Sequence, residues 1–471
     1  MSIPRRTVLG AGAALPLLAG SSSLPAAAAA GPSPGDWKEL AGSITGGLNL
    51  PGSRRYESQR KLFDPHWDSR RPAAIARVRD ADDVATCITF AKDHGLDIAA
   101  RSGGHSYTGR SARNGALVVD TRSMRAVSLG SGGDRATIEA GAKLWTVHEE
   151  LAKGDRSVPT GTCPTVGAAG LSLVGGLGVD SRRYGLMSDR LVSATVVDGR
   201  GRVLTVDEDT EPDLFWAIRG GGWGTGIVTE MTYRTIPARG MGFFNATFPA
   251  SAAVDALAEW RQWLADQPGS IWSNAHLDVS GGSLSLRIFG VTPVGKEKAR
   301  LASLRSAISA RATKTSTTSR DFLGAVEYLG GGKTSPRTGF VAGSDVLRGV
   351  TRGRGAAIEK AMHWAATRGL SAAAILDPLD GAVSDAKTGD SAFPWRYHAA
   401  SVQWYVGTGS TKQRRAALRW IRDVHELLGD RSSGGYLGYV EPGTSIERYL
   451  GANASRFRKI RSTYDPDGVI A

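Results

Sequence analysis

The sequence predicts an α+β protein built in two parts. Three observations carry that reading. A strand, helix, strand pattern runs from Ala74 to Arg101. Short strands and glycine-rich loops follow it to about residue 240. From Met241 the texture changes to alternating strands mixed with amphipathic helices, as a second domain on an antiparallel sheet requires. At 471 residues the chain is also long for a single hydrophobic core.

The elements follow in order. "AIARV" at 74–78 is a short extended run. Asp80 to Asp83 can cap a helix in which Val84, Cys87, Ile88 and Ala91 recur at helical spacing, and Gly95 ends it. "LDIAAR" then alternates as a strand, so this is a β-α-β unit. "GALVVDTRSM", "RAVSLG" and "DRATIEAGAK" read as short strands, and "LWTVHEELAKG" as a short helix. "RLVSATVVDGRGRVLTVD" is a hairpin turning at Asp198 to Gly201. "EPDLFWAIRGGGWGTGIVTEMTYRTI" reads as a helix, a glycine loop and a strand. Beyond Met241, "GSLSLRIFGV" and "SVQWYVGTG" are strands. "SAAVDALAEWRQWLADQ", "GKEKARLASLRSAISA" and "KQRRAALRWIRDVHELLGD" are helices. The chain closes on a helix and a "YDPDG" turn.

Composition narrows the class. Apolar residues make up 41% and charged residues 22%, the balance of a soluble globular protein. The formal charge is +13, which raises the question of nucleic acid or membrane binding. No run of five basic residues and no zinc-finger or RNP pattern supports a nucleic acid partner, so the charge reads as a solvated surface. The opening "MSIPRRTVLGAGAALPLLAG" pairs Arg5 with Arg6 ahead of a glycine-softened apolar run, and A-x-A options lie near Ala28 to Ala30. This reads as a twin-arginine signal peptide over residues 1–30 of a secreted protein, with no lasting membrane association once it is cleaved. That route carries folded proteins, often with a cofactor already loaded. The two cysteines, Cys87 and Cys163, could form a disulfide in an exported protein. Cys87, however, falls on the apolar stripe of its helix.

Three glycine-rich loops, "RSGGHSYTG", "GTCPTVGAAGLSLVGGLG" and "RGGGWGTG", lie in the first part. Glycine lets backbone N–H groups approach a pyrophosphate, so a dinucleotide is a natural ligand. None of the loops is the G-x-G-x-x-G of a Rossmann unit, and no Walker A motif occurs. Taken alone, such loops could equally be turns.

Taken together they are more specific. "RRPAAIARVRDADDV" leading to "ARSGGHSYTG", then "GTCPTVGAAG", "RGGGWGTGIVTEM", "SVQWYV" and "YDPDGV" follow in the order found in one family. From about Phe63 to its end, the chain resembles the berberine-bridge-enzyme-like FAD-linked oxidases of the vanillyl-alcohol-oxidase (PCMH-type) group, in the branch that links flavin twice. The resemblance implies a two-part FAD-binding domain over 63–240, preceded by a linker or helical segment over 31–62. It implies a substrate domain over 241–430 and a C-terminal segment, 431–471, that completes the FAD domain. His105 would bond to the 8α carbon of FAD, and Cys163 would add through sulfur to the ring. A free thiol with a pKa near ~8.5 is only in small part thiolate at neutral pH, so the ring must supply the electrophile.

The resemblance places the rest of the FAD site on the same loops. Arg101, Ser102, Gly103, Gly104, Ser106 and Gly109 flank His105. Pro164, Thr165, Val166, Gly167, Gly170, Gly175 and Gly176 follow Cys163, and Gly226, Ile227 and Val228 close the third loop. The glycines before His105 are expected to clear space for the ring. Val166 takes the place that faces the oxygen side of the flavin. Tyr439 stands where the family's base stands, with Gly438 in place of the usual asparagine and Tyr436 as the competing tyrosine. A tyrosine starts near pKa ~10, so ionising it near neutrality needs ~4 kcal/mol of anion stabilisation. Gln403 matches a position that hydrogen-bonds in the site. Leu171 replaces a usual histidine, and "GGGWGTG" departs from the usual glycine run.

The implied activity is an oxidase that takes hydride from an alcohol or hemiacetal carbon of an oligosaccharide or secondary metabolite and reduces O2 to H2O2. A dehydrogenase with another acceptor, or a small-molecule-binding or resistance protein with little turnover, remains open at this point. No metal is implied. Trp395 and Trp404, among 12 tryptophans, could stack on a sugar, although tryptophan in a core is commoner.

Overall fold

The computed structural model describes residues 31–470, in three main sheets and a two-stranded ribbon that pairs Arg156–Ser157 with Ile236–Pro237. The twin-arginine segment lies outside the described residues. The first sheet has the order Gly47–Asn49, Ala74–Arg77, Leu117–Asp120, Ile98–Arg101. The expected β-α-β unit is present, with its helix at Ala81–Asp93 capped by the Asp80 carboxylate on the Asp83 N–H at 2.8 Å. Its two strands are not neighbours, however. Leu117–Asp120 lies between them and parallel to both. The segment 31–62 is more than a linker. Its helix Pro34–Ser43 adds Leu40 to the core over this sheet, beside Ile44, and its strand Gly47–Asn49 forms the antiparallel edge.

The second sheet is antiparallel throughout, in the order Val127–Leu129, Arg135–Glu139, Ile227–Arg234, Leu191–Val197, Val203–Val206. The third has seven antiparallel strands: Lys314–Arg320, Met241–Phe248, Ser283–Pro293, Trp272–Ser280, Ala372–Pro378, Ala400–Gly407 and Phe340–Leu347. Helices Ala253–Ala265, Arg352–Thr367 and Thr411–Leu428 cover one face of this sheet and share one core with it. Trp404 and Trp420 are fully buried there, edge to face at 5.9 Å. Trp404 is therefore core, as is Trp395, whose Nε1 donates to the Gly435 carbonyl at 2.8 Å. Neither is placed to stack on a ligand.

The chain then returns. Leu437, Tyr449, Leu450, Phe457 and Ile460 pack into the core of the second sheet. At the very end, the Ile98 N–H donates to the Val469 carbonyl at 2.8 Å, so the terminal residues rest on the first sheet. The uncovered face of the third sheet looks onto the two smaller sheets, and the space between them is the main cavity.

Candidate active site

Two loops meet to form one wall of that cavity. The first leaves strand Ile98–Arg101, and the second enters the short helix Ala168–Leu173. They touch backbone to backbone. A Cβ on Gly103 would lie 2.3 Å from the Gly167 nitrogen, and one on Gly167 would lie 2.4 Å from the Gly103 nitrogen. Gly103, two residues ahead of His105, thus allows loop-on-loop contact, and it lines the cavity as well. The contact brings His105 and Cys163 to the same wall.

His105 stacks on Phe63 at 4.1 Å, and its Nε2 lies 3.0 Å from the Thr165 hydroxyl. Burial, reinforced by the Lys143 charge, pushes the imidazole down to about 4, so it is neutral at pH 7. The Cys163 sulfur lies 3.7 Å from both the Thr165 and Ser335 hydroxyls. Both cysteines are free. Cys87 is buried in the first core, where desolvation pushes its thiol up to about 12. Arg101 is committed elsewhere, donating to the Gln59 and Lys61 carbonyls.

The cavity encloses about 740 Å³ and is lined from all three sheets and the C-terminal segment. Of the expected cofactor residues, Arg101, Ser102, Gly103, Gly104, His105, Ser106, Cys163, Val166, Gly167, Gly170, Gly226, Ile227 and Val228 line it. Gly109, Pro164, Thr165, Gly175 and Gly176 do not. Gly109 and Gly176 have positive φ, and a Cβ there would strike the Trp67 ring at 2.4 Å and the Met187 Cβ at 2.5 Å. They shape the wall from behind. The cavity suits FAD on two counts. A Cβ on Gly170 would meet nothing within 4 Å, which leaves bare helix facing open space. The Arg110 Nε is buried without a partner, and its guanidinium lies 4.3 Å from the Trp223 ring centroid. Trp223, the departure in the third glycine loop, therefore lines the cavity, as does Leu171.

The other end of the cavity holds the tyrosines. Tyr439 lies parallel to Tyr107 at 5.9 Å, and Gln403 donates through Nε2 to the Tyr107 hydroxyl at 3.1 Å. Tyr436 stands edge-on to Tyr439 at 5.0 Å, but its hydroxyl accepts the Gly176 and Leu177 N–H groups at 3.3 and 3.4 Å. Tyr436 is thus a fastener for the glycine loop. It also accounts for Gly438, because a Cβ at 438 would lie 2.5 Å from the Tyr436 ring. Burial pushes the Tyr439 phenol well above its usual value, and the charge on Asp377 adds to this. Among the described residues no cation offsets that rise. Asp377 is itself raised by burial to about 6 against a 3.1 Å hydrogen bond from Asn274.

Asp377, Asn274, Tyr107 and Tyr405 were missed by sequence reasoning, as were Asn245, Trp272, His276, Arg287 and Phe289. All line the cavity. Tyr107 sits two residues past His105 inside a quoted motif. The signal for the others was strand alternation: residues 272, 274 and 276, then 287 and 289, then 375 and 377, then 403 and 405 share one face. That pattern shows which residues share a face, not which face meets the ligand.

The Tyr436–Glu441 loop is tied to the third sheet by a charged cluster. His425 bonds Asp345 at 2.8 Å and Glu441 at 2.9 Å, and Asp345 also accepts from Arg448 at 2.8 Å. Burial opposes a charge on His425, but the hydrogen bonds to both carboxylates push it up to about 9.

Comparison with known proteins now defines the class. Residues 72–207 match the FAD binding domain family. A chitooligosaccharide oxidase from Gibberella zeae is 28% identical over 435 residues, covering 85% of this chain and 86% of that one. The structure of BBE-like 1 from Physcomitrella patens superposes with a TM-score of 0.85 at 22% identity, covering 92% of this chain and 97% of that one. A glucooligosaccharide oxidase from Acremonium strictum, described with a 6-S-cysteinyl, 8α-N1-histidyl FAD, superposes at 0.82 with 23% identity, covering 92% and 97%. The chain is a flavoprotein with an FAD binding domain and the fold of the berberine-bridge-enzyme-like proteins. More narrowly, it is an FAD-linked oxidoreductase.

Proposed function

We propose that this protein is an exported oxidase that takes hydride from an alcohol or hemiacetal carbon of an oligosaccharide and passes the electrons to O2. The observation that carries the reading is the convergence of Tyr439, Tyr107, Gln403 and Asp377 on the cavity that His105 and Cys163 also line. FAD, when bound, supplies the hydride acceptor and the route of two electrons to O2, giving H2O2. His105 and Cys163 would hold it covalently. The contact of Nε2 with Thr165 leaves Nδ1 of the neutral imidazole free to act as the nucleophile. Glycine backbone at 103, 104, 167 and 170 would cradle the cofactor, with Ser102, Ser106, Gly226, Ile227 and Val228 beside it.

The remaining steps belong to the chain. The substrate hydroxyl donates to Tyr439, and Gln403 holds Tyr107 beside it. A neutral phenol as deeply buried as Tyr439 cannot keep the proton. Asp377, poised at about 6, takes it by relay as hydride leaves carbon. Val166, on the cavity wall near Cys163, would admit O2. The Arg5–Arg6 pair supports export in the folded state.

The test is an anaerobic screen of cello-, xylo- and chito-oligosaccharides, followed by the same sugars in air. Flavin bleaching and then peroxide are expected. Bleaching without peroxide would replace the oxidase by a dehydrogenase. No bleaching by any sugar would remove the carbohydrate reading.

A further inference from the structure

One charged group on the substrate wall has no partner. Arg287, on strand Ser283–Pro293, lines the cavity, and no hydrogen bond or ion pair among the described residues ends on its guanidinium. Its neighbours do not neutralise it. His276 pairs opposite it across the strands, and burial together with the Arg287 charge keeps that imidazole uncharged, down at about 3. Asp278, next along the same face, feels the guanidinium, which opposes the upward push of burial on its carboxyl. It forms no ion pair with Arg287 and does not line the cavity. A half-buried cation held without a counterion suits an anion that arrives with the ligand.

The register gives its distance from the chemistry. Arg287 lies opposite His276, His276 opposite Ile375, and Ile375 opposite Gln403. Three strand spacings of about 4.8 Å put the Arg287 backbone about 14 Å from that of Gln403. The guanidinium is therefore placed for a sugar ring beyond the one that reacts. The wall around Arg287 carries unmet polar atoms suited to neutral hydroxyls: Asn274 Oδ1 and Trp272 Nε1, on the neighbouring strand toward Gln403, and Asn245 Oδ1, on the neighbouring strand to the other side, are buried without partners. Arg287 is the cation among them.

We propose that Arg287 forms a carboxylate-binding subsite and that the preferred substrates are acidic oligosaccharides, with a hexuronic acid beyond the reducing-end ring. The proposal rests on the hemiacetal-oxidase reading above. Guanidinium and carboxylate pair through two parallel charge-assisted hydrogen bonds, which a neutral hydroxymethyl cannot make.

The experiment compares cellobiose with cellobiouronic acid, which differ only in the carboxylate on the second ring. In the holoenzyme the acid is expected to have a KM lower by about tenfold or more. Arg287→Met should bring the acid-to-neutral ratio of kcat/KM close to one. Arg287→Lys, which restores a point charge, should recover part of it, and raised salt should erode it. An unchanged flavin spectrum establishes that each variant is folded. Equal use of the two sugars by the parent enzyme, or an unchanged ratio in Arg287→Met, overturns the subsite and leaves the oxidase reading standing. Failure of these two sugars and of the xylo- and chito-oligosaccharides alike to bleach the flavin sinks the hemiacetal reading, and the subsite falls with it.

Discussion

The two walls of the cavity are built on opposite plans. The wall that carries His105 and Cys163 is made of main chain, with glycine nitrogens packed so closely that a Cβ would overlap them. The facing wall is made of side chains, set on alternate positions of neighbouring strands whose other face is sealed by helices. A change on the first wall must move backbone. A change on the second can alter what is bound while the sheet stays in place. The proposed cofactor site is thus local in sequence, and the proposed substrate site is assembled across more than a hundred residues of chain.

The largest effect should come from Tyr439, where the walls meet. Tyr439→Phe is expected to lower kcat by ~10²–10⁴ with the flavin spectrum kept. A loss below tenfold would move the proton step to Asp377 alone. The rate should rise with pH through a limb near 6 as Asp377 ionises, and Asp377→Asn should abolish that limb.

The cluster that ties the Tyr436–Glu441 loop to the third sheet comes next. The folded-state pKa of His425 is raised to about 9 from 6.5, so its stabilisation is complete below pH 6.5 and is lost as pH rises through 9. The shift corresponds to roughly 3 kcal/mol. Thermal unfolding across that window should show it, and Glu441→Gln should flatten the pH dependence. An equal dependence in the variant would show that the cluster does not hold the loop.

Gly103→Ala probes the main-chain wall. The new methyl meets only backbone atoms, Gly167 N at 2.3 Å and Thr165 O at 2.9 Å, so the loops must part. About 1–3 kcal/mol of destabilisation is expected, with reduced flavin content. Full stability and full flavin content would mean that the two walls do not differ as described. Gly170→Ala should have the smallest effect. Its Cβ meets nothing, so the short helix gains about 0.5–1 kcal/mol while cofactor retention falls. Unchanged retention would place the cofactor away from this helix.

Much of the first wall was legible in the sequence. The cap at Asp80, the helical stripe through Cys87, the strand ahead of His105 and the glycine runs are local patterns, each set within a few residues. The C-terminal return was legible only through resemblance. The strand Leu117–Asp120 inserted between the two strands of the β-α-β unit left no mark, because pairing order is not encoded in the pattern of any one strand. Trp404 shows the same limit: alternation puts it on one face of its strand, and only the sheet's packing decides that this face is core.

By itself, then, the sequence determined the class of cofactor and singled out the residues expected at its reactive edge. Glycine spacing, a histidine and a cysteine act through their own neighbours and keep their meaning wherever the loops go. The tertiary structure decided what those neighbours are for. It turned Gly103 and Gly167 into a loop-to-loop contact, made Tyr436 a fastener, and brought Asp377 and Arg287 onto one cavity. These are relations between chain segments far apart in sequence, and only closure of the three sheets around a common space creates them.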